Sequence, residues 1–293
     1  MDFGKLSEHS EVDFSLPLQD HFYFNAPPAQ SLDVLLGATG WSMPQWKGVL
    51  YPRRTPANLF GQVYSHQFAT TEFNTTYYQV PPAERVRHWK EFTAPEFVFC
   101  PKMYQGISQS SSIGVGGSLL PDFLERMTGF DEKLGLIFMQ MPQFFGENKL
   151  AALEKFVAQW GSGIPLAVEM RHADFFRDEI KHILASLFGS AQISWLITDV
   201  AGRRDVSHDR ITAPFMCIRF VSTGDIESDQ SRIISWIIRL QNWKENGVQI
   251  VYFFIHTPGN LTPHLLTSFF AQEWEQRTGI KLKIPQEVEQ GLF

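Results

Sequence analysis

From residue 34 onward, short apolar runs alternate with stretches that repeat at helical spacing. Runs at 34–39, 70–74, 97–102, 134–140, 166–171, 194–199, 216–220 and 250–256 have the length and residue types of strands. Between them, 56–66, 83–92, 119–127, 150–160, 178–188, 229–246 and 263–277 carry helical patterns, and the link 201–214 is weakly helical at best. Eight strands alternating with helices predict a parallel α/β sheet. The strand count fits a closed (β/α)8 barrel of the TIM type, a fold of ~250 residues. The prediction is one barrel domain over 34–293, preceded by an arm over 1–33. The arm's aromatics Phe14, Phe22, Tyr23 and Phe24 suit packing on the body. The alternative is an open doubly wound sheet, but no Gly-x-Gly-x-x-Gly follows the run at 34–39. Gly114-Val115-Gly116-Gly117 follows a serine-rich loop rather than a strand, and no internal repeat or linker divides the chain.

The run at 166–171 organises the rest. At a strand's period of two, Leu166, Val168 and Met170 share one face, and Ala167, Glu169 and Arg171 share the other. An apolar face backing a small-then-charged face suits a barrel strand packed outward on helices and ending inward in a polar site. The same alternation puts Thr70, Glu72 and Asn74 together, then Val98, Cys100 and Lys102, then Ile197 and Asp199. It also groups Cys217 with Arg219 and Phe254 with His256, while the two remaining strands end at Thr39 and Gln140. Each polar residue sits at or near the carboxyl end of its run, where barrel enzymes build their sites.

Composition adds limits. The chain has 293 residues, 44% of them hydrophobic and 14% aromatic, which is ample for a large core. A net charge of -6 and a pI near 5.8 disfavour nucleic acid as a partner. Cys100 and Cys217 both lie in strand-like runs and are expected to be buried, reduced thiols. No charged-then-apolar leader opens the sequence and no apolar run approaches membrane-spanning length, so no membrane association and a cytoplasmic location are expected. Oligomeric state is not encoded in any visible pattern.

At the strand ends, Glu72, Glu169 and Asp199 are balanced by Lys102, Arg171 and Arg219, with His256 near neutral. One ion pair, such as Glu169 with Arg219, can simply satisfy itself in a barrel mouth. A whole set is costly to bury and is rarely favoured for stability alone. The set suits a metal-independent enzyme acting on a small anionic or sugar-like substrate. The cations would hold the substrate, and a carboxylate or His256 would move a proton. The predicted catalytic residues are Glu72, Lys102, Glu169, Asp199 and His256. The predicted substrate-binding residues are Trp41, Asn74, Tyr77, Arg171 and Arg219, with neither a metal nor a resident cofactor. Hydrolysis, isomerisation and elimination all remain open.

Two competing readings stand beside it. Glu72, Glu169, Asp199 and His256 are also divalent-metal donors, which would suit a metal-dependent phosphoester or nucleic-acid hydrolase. Three interleaved cations oppose an ion, and no His-x-His or His-Glu-x-x-His spacing occurs. A non-catalytic ligand-binding barrel is the other alternative. Among aromatics, Trp46 and Tyr51 are expected to pack under a lid, whereas Trp41 and Tyr77 suit stacking on a sugar ring or base. Trp236, Trp243 and Trp274 are expected in the core, and His172 and His208 on surface loops. The loop 105–118, rich in Ser and Gly, is a candidate flap.

Several of these stretches together resemble one family. Gly37-Ala38-Thr39-Gly40-Trp41, Trp46-Lys47-Gly48 and Tyr51-Pro52 are similar to the opening of the YecE-like family, a domain-of-unknown-function family (number 72). Glu72-Phe73-Asn74-Thr75-Thr76-Tyr77-Tyr78 with Pro81 resembles its central motif. Residues 97–102 and Val168-Glu169-Met170-Arg171-His172 match two further family strands. The resemblance spans most of 34–199. It implies a TIM-type barrel and no established reaction. It carries over Glu72, Asn74, Lys102, Glu169, Arg171 and Asp199 better than later positions. Where the family tends to have Arg-x-His-Gly, this chain has Arg219-Phe220-Val221-Ser222, and paired asparagines give way to Ile255-His256-Thr257.

Overall fold

The computed structural model describes residues 4, 6, 8, 9, 11–161 and 163–288. In chain order the first elements are β1 (His21–Phe22), β2 (Asp33–Ala38), α1 (Phe60–Gln67), β3 (Thr70–Phe73), α2 (Thr75–Tyr78), α3 (Ala83–Phe92), β4 (Val98–Pro101) and α4 (Gln105–Ser108). Next come α5 (Leu119–Thr128), β5 (Ile137–Gln140), α6 (Leu150–Gln159), β6 (Leu166–Glu169), α7 (Asp178–Ser190), β7 (Ser194–Trp195) and β8 (Ile197–Asp199). The last are β9 (Arg210–Ile211), β10 (Phe215–Val221), α8 (Ile226–Glu245), β11 (Ile250–His256) and α9 (Pro263–Thr278). All eight predicted runs contain strands and all seven predicted helices are present. The ends of two helices follow local sequence signals. Asp225 accepts from Ser228 N at 2.8 Å to cap α8, while α9 opens on Pro263 and ends at Gly279 with φ +74°.

Every strand pairing is parallel, as crossover helices require. The ladders form a six-stranded sheet ordered β4-β3-β2-β11-β10-β8, a three-stranded sheet β5-β6-β7, and the small pair β1-β9. This is an α/β fold of parallel sheets. Among the described residues the ladders do not run unbroken around a closed ring, in contrast to the expected single barrel. Between the two larger sheets there are single parallel bridges at Phe99↔Leu134 and Lys102↔Phe138, and Leu196 N donates to Val168 O at 2.9 Å. The interruption at Leu196 divides the predicted run 194–199, whose first half pairs with β6 and whose second half pairs with β10.

Strand alternation divides the core in two. Odd-numbered residues of β6 and their equivalents gather Cys100, Leu136, Phe138, Ala167, Leu196, Cys217, Tyr252 and Phe254 into one apolar cluster between the sheets. Residues of opposite parity pack outward on the helices, with Trp236, Trp243 and Trp274 buried in that layer as predicted. Close approach has one strict requirement: a Cβ on Gly37 would sit 2.3 Å from Thr70 O, so β2 and β3 can pair there only through glycine. Both cysteines are free and buried, and burial pushes the Cys100 thiol up to about 12.

Residues 20–23 make specific contacts with later parts of the chain. His21 and Phe22 pair with Arg210 and Ile211, Asp20 takes Arg239 and the Trp243 indole N–H, and the Tyr23 backbone rests against Gly189 of α7. Loop 105–118 differs from a free flap. It carries the α4 turn, buries Ile107 and Ile113, and is tied by Gln109 Nε2 donating to Gln140 O at 3.0 Å. His208 is a further correction, since it is buried against Trp195 with ring centroids 4.3 Å apart. No helix among the described residues is long and apolar enough to cross a membrane.

Candidate functional site

At the carboxyl ends of the strands the inner face becomes charged. Glu72, Lys102, Glu169, Arg171 and Arg219 come from four strands or the residues just after them, yet each is only 1–7% exposed. Arg219 is the hub. Its Nε and one terminal nitrogen donate to the two Glu72 oxygens at 2.9 and 3.2 Å, and the other terminal nitrogen donates to Glu169 Oε1 at 2.9 Å. Glu169 Oε1 also accepts from Thr198 Oγ1 at 2.8 Å, and its Oε2 lies 3.2 Å from the Arg171 guanidinium. Gln140, at the end of β5, supplies one oxygen that accepts from both Lys102 Nζ, at 3.0 Å, and Arg171, at 2.9 Å. Lys102 Nζ lies 4.4 Å from the centre of the Tyr77 ring.

Burial and charge together set the protonation states. Burial opposes ionisation of Glu169, but Arg219 and Arg171 outweigh it and hold the carboxyl at about 2. Arg219 and His256 likewise hold Glu72 well below the ordinary range against its burial. Lys102 moves the other way. Burial, aided by Arg219 and Arg171 against the pull of Glu72 and Glu169, brings its ammonium down to about 8. Burial also lowers His256, outweighing Glu72. Nε2 of His256 lies 2.8 Å from Glu72 Oε2. Because that carboxylate is ionised, a neutral His256 must donate from Nε2, leaving Nδ1 as a lone-pair acceptor. No described residue donates to Nδ1.

These groups face a cavity of about 580 Å³ lined also by Thr39, Asn74, Tyr77, Thr198 and Ser222, and by Gly4, Leu6 and His9 from the start of the chain. The structure thus brings together eight of the ten predicted residues: Glu72, Asn74, Tyr77, Lys102, Glu169, Arg171, Arg219 and His256. Seven of them line the cavity, and Glu169 lies just beneath, bonded to the lining residues Thr198 and Arg219. Asn74 reaches back to Glu72 Oε1 at 3.0 Å.

Two predicted residues lie elsewhere. Trp41 is a correction: it packs in an aromatic cluster 4.9 Å from Phe73 and 5.9 Å from Phe99, behind the strands rather than in the mouth. Trp46 and Tyr51, expected under a lid, belong instead to the same buried layer behind the strands. Asp199 is the more instructive correction, because it points outward. It meets Arg204, Arg232 at 3.0 Å and the Trp236 indole N–H at 2.8 Å. Thr198 holds the inward position instead. Leu196 shares the inner face with Thr198, whereas Trp195 and Ile197 pack on the outer side with Asp199. Gln140, which closes its predicted strand, joins the site as well by accepting from Lys102 and Arg171.

With Asp199 removed, the inner cluster holds three cations, Lys102, Arg171 and Arg219, against two carboxylates, Glu72 and Glu169. Among the described residues no three of His, Cys, Asp and Glu converge as metal donors would. An excess of positive charge around a cavity of this size suits a small anion.

Comparison with known proteins gives a consistent picture. The family described as "Protein of unknown function DUF72" matches residues 35–289. The UPF0759 protein YecE of Escherichia coli K12 is 28% identical over 244 residues, covering 77% of this chain and 86% of that protein. The UPF0759 protein YunF of Bacillus subtilis is 28% identical over 49% of this chain and 52% of its own. A solved DUF72 family protein of Thermotoga maritima superposes with a TM-score of 0.64 at 20% identity, covering 85% of this chain and all of that one. A second, from Enterococcus faecalis, gives 0.62 at 19%, with 85% and 98% covered. At these identities the solved structures speak to the fold alone.

Proposed function

The chain belongs to the DUF72 family, and from that premise we propose an enzyme that holds a small anion in the cavity and moves a proton there without a resident metal. The observation that carries this reading is the cluster itself: three buried cations against two buried carboxylates, gathered from four strands around one cavity. Burying such a set is unfavourable for stability alone, so an incoming negative charge is the natural complement. Arg171 and Lys102 provide the anion's contacts, and Arg219 fixes the two carboxylates. Neutral His256, oriented by Glu72, offers Nδ1 as the base.

The same reading takes the two larger sheets as arcs of one (β/α)8 cylinder, with the first 33 residues an arm of the same domain. Two bridges between β4 and β5, the Leu196–Val168 hydrogen bond and the shared inward parity support that arrangement.

The test begins with thermal shift against inorganic phosphate, sulfate and small carboxylic acids. An anion at a hundred times its Kd stabilises by about 2.7 kcal/mol, and Arg171→Met should lose that response. A wild-type melting point indifferent to every anion sinks the proposal. For any ligand found to turn over, His256→Gln should keep binding and lose conversion by about 10²–10⁴-fold. Equal turnover in that variant would remove His256 from the chemistry.

A further inference from the structure

Lys102 differs from the other cations of the cluster in what holds it. Arg171 and Arg219 each contact a carboxylate, whereas no carboxylate oxygen among the described residues lies within ion-pair distance of Lys102 Nζ. Its hydrogen-bond acceptor is a neutral amide oxygen, Gln140 Oε1, and a tyrosine ring forms a wall beside it. An amide oxygen accepts more strongly from an ammonium than from a neutral amine, but it favours the charged form far less than a carboxylate does. A carboxylate would lock the charged form instead. The lysine is nevertheless on the cavity wall and 3% exposed, so its amine meets the cavity and little else.

We propose that Lys102 is a nucleophilic amine that condenses with the carbonyl carbon of a small 2-oxo acid bound in the cavity. This rests on the anion-binding reading above and gives it a substrate class. The step needs no redox partner. The neutral amine's lone pair adds to the carbonyl carbon, and the carbonyl oxygen leaves as water with the two amine protons. The product is a carbon–nitrogen double bond to Lys102.

Geometry favours a 2-oxo acid over a longer phosphorylated carbonyl compound. Lys102 Nζ and the Arg171 guanidinium both donate to the same oxygen, Gln140 Oε1, so they are close neighbours. A carboxylate seated on Arg171 puts the adjacent carbonyl carbon beside the amine, which a phosphate several bonds away would not do. Supply of free amine fits as well. A lysine at about 8 has on the order of a hundredfold more neutral amine at neutral pH than an exposed one. Arg171 and Arg219 favour that neutral form and Glu72 and Glu169 oppose it, with burial deciding the balance.

The experiment is imine trapping on the full chain with cyanoborohydride at pH 7.5. Pyruvate, glyoxylate and pyridoxal 5′-phosphate serve as separate probes, read by intact mass and peptide mapping. Pyruvate or glyoxylate should label Lys102 about tenfold or more faster than exposed Lys155 or Lys281, and labelling of Lys102 by pyridoxal 5′-phosphate alone would overturn the 2-oxo acid assignment. Lys102→Arg should remove that label while leaving the surface background. If that variant fails to fold, competition in the wild type replaces it: inorganic phosphate should slow labelling at Lys102 and not at Lys155. Labels confined to surface lysines with all three probes overturn the proposal. If phosphate still stabilises the protein in that case, the anion site survives and only the imine falls. If no anion stabilises it, both readings fall together.

Discussion

Thr198 and Asp199 are neighbours in one strand, and each anchors a different buried ion network. Thr198 turns inward to Glu169 and, through it, to Arg171 and Arg219. Asp199 turns outward to Arg204 and Arg232, and Arg232 continues to Asp229 at 2.9 Å. Both set buried carboxylates against guanidiniums, although Arg204 of the outer network is 23% exposed. They differ in closure. The outer network has two carboxylates for two guanidiniums, the Arg232 guanidinium is covered by the Phe14 and Phe220 rings, and none of these charges lines the 580 Å³ cavity. The inner network has one cation too many and opens onto the cavity. Buried charge by itself therefore marks nothing; an unbalanced sum beside accessible volume is what points to a ligand.

The largest expected effect tests whether the outer network is structural. Asp199→Ala leaves Arg232 buried beside a missing partner and should cost about 3–5 kcal/mol in urea unfolding. The folded fraction should bind anions as the wild type does. Lost anion binding at retained stability would reverse the assignment of the two networks.

Acid provides the second, smaller test. Glu169 stands at about 2 in the folded protein against an ordinary 4.5. Its folded value is depressed, so its contribution is fully present above about pH 4.5 and disappears as pH falls toward 2. That contribution amounts to at most about 3 kcal/mol. Stability should therefore fall steeply with acid across that window. In Glu169→Gln the slope of unfolding free energy against pH should be shallower there by one group. An unchanged slope would mean that Glu169 is not held ionised by its two arginines.

How much of this was readable in advance depended on whether one face of a strand was distinctive. In 166–171 the alternation of large apolar with small and charged residues leaves one solution, and Glu169 and Arg171 fall where it puts them. The strand at 250–256 resolves through its terminal His256. In 194–199 both parities contain apolar residues, so pattern alone did not separate Thr198 from Asp199. A one-residue error in parity moves a side chain to the opposite face. Trp41 was misplaced for another reason. A tryptophan just past a strand can turn to the mouth or fold back, and here Tyr64, Phe73, Phe92 and Phe99 offer it an apolar bed that the linear sequence does not display. The family resemblance expects a histidine two residues after Arg219. Val221 stands there, and its register partner on the adjacent strand is His256, so an imidazole still enters at that level of the sheet. Gln140 ends its strand on the inner face, but an amide carries no charge, so the charge pattern does not single it out although it joins two of the three cations.

The smallest effect is the sharpest test of the comparison, because it separates the two networks at adjacent positions with little change of volume. Thr198→Val keeps the branched shape and removes the hydroxyl that donates to Glu169 Oε1 at 2.8 Å. Glu169 retains Arg219 and Arg171, so the loss should be about 1 kcal/mol, the worth of one hydrogen bond to a charged, still-paired acceptor. One donor fewer leaves Glu169 pulling more strongly on Arg171, and anion affinity should weaken slightly with stability. If the inner network tunes the cavity, that small weakening appears in Thr198→Val and is absent from Asp199→Ala, despite the far greater destabilisation of the latter. Should anion affinity instead follow stability across both variants, the cavity would be responding to global loosening, and the distinction between an open and a closed network would lose its functional meaning.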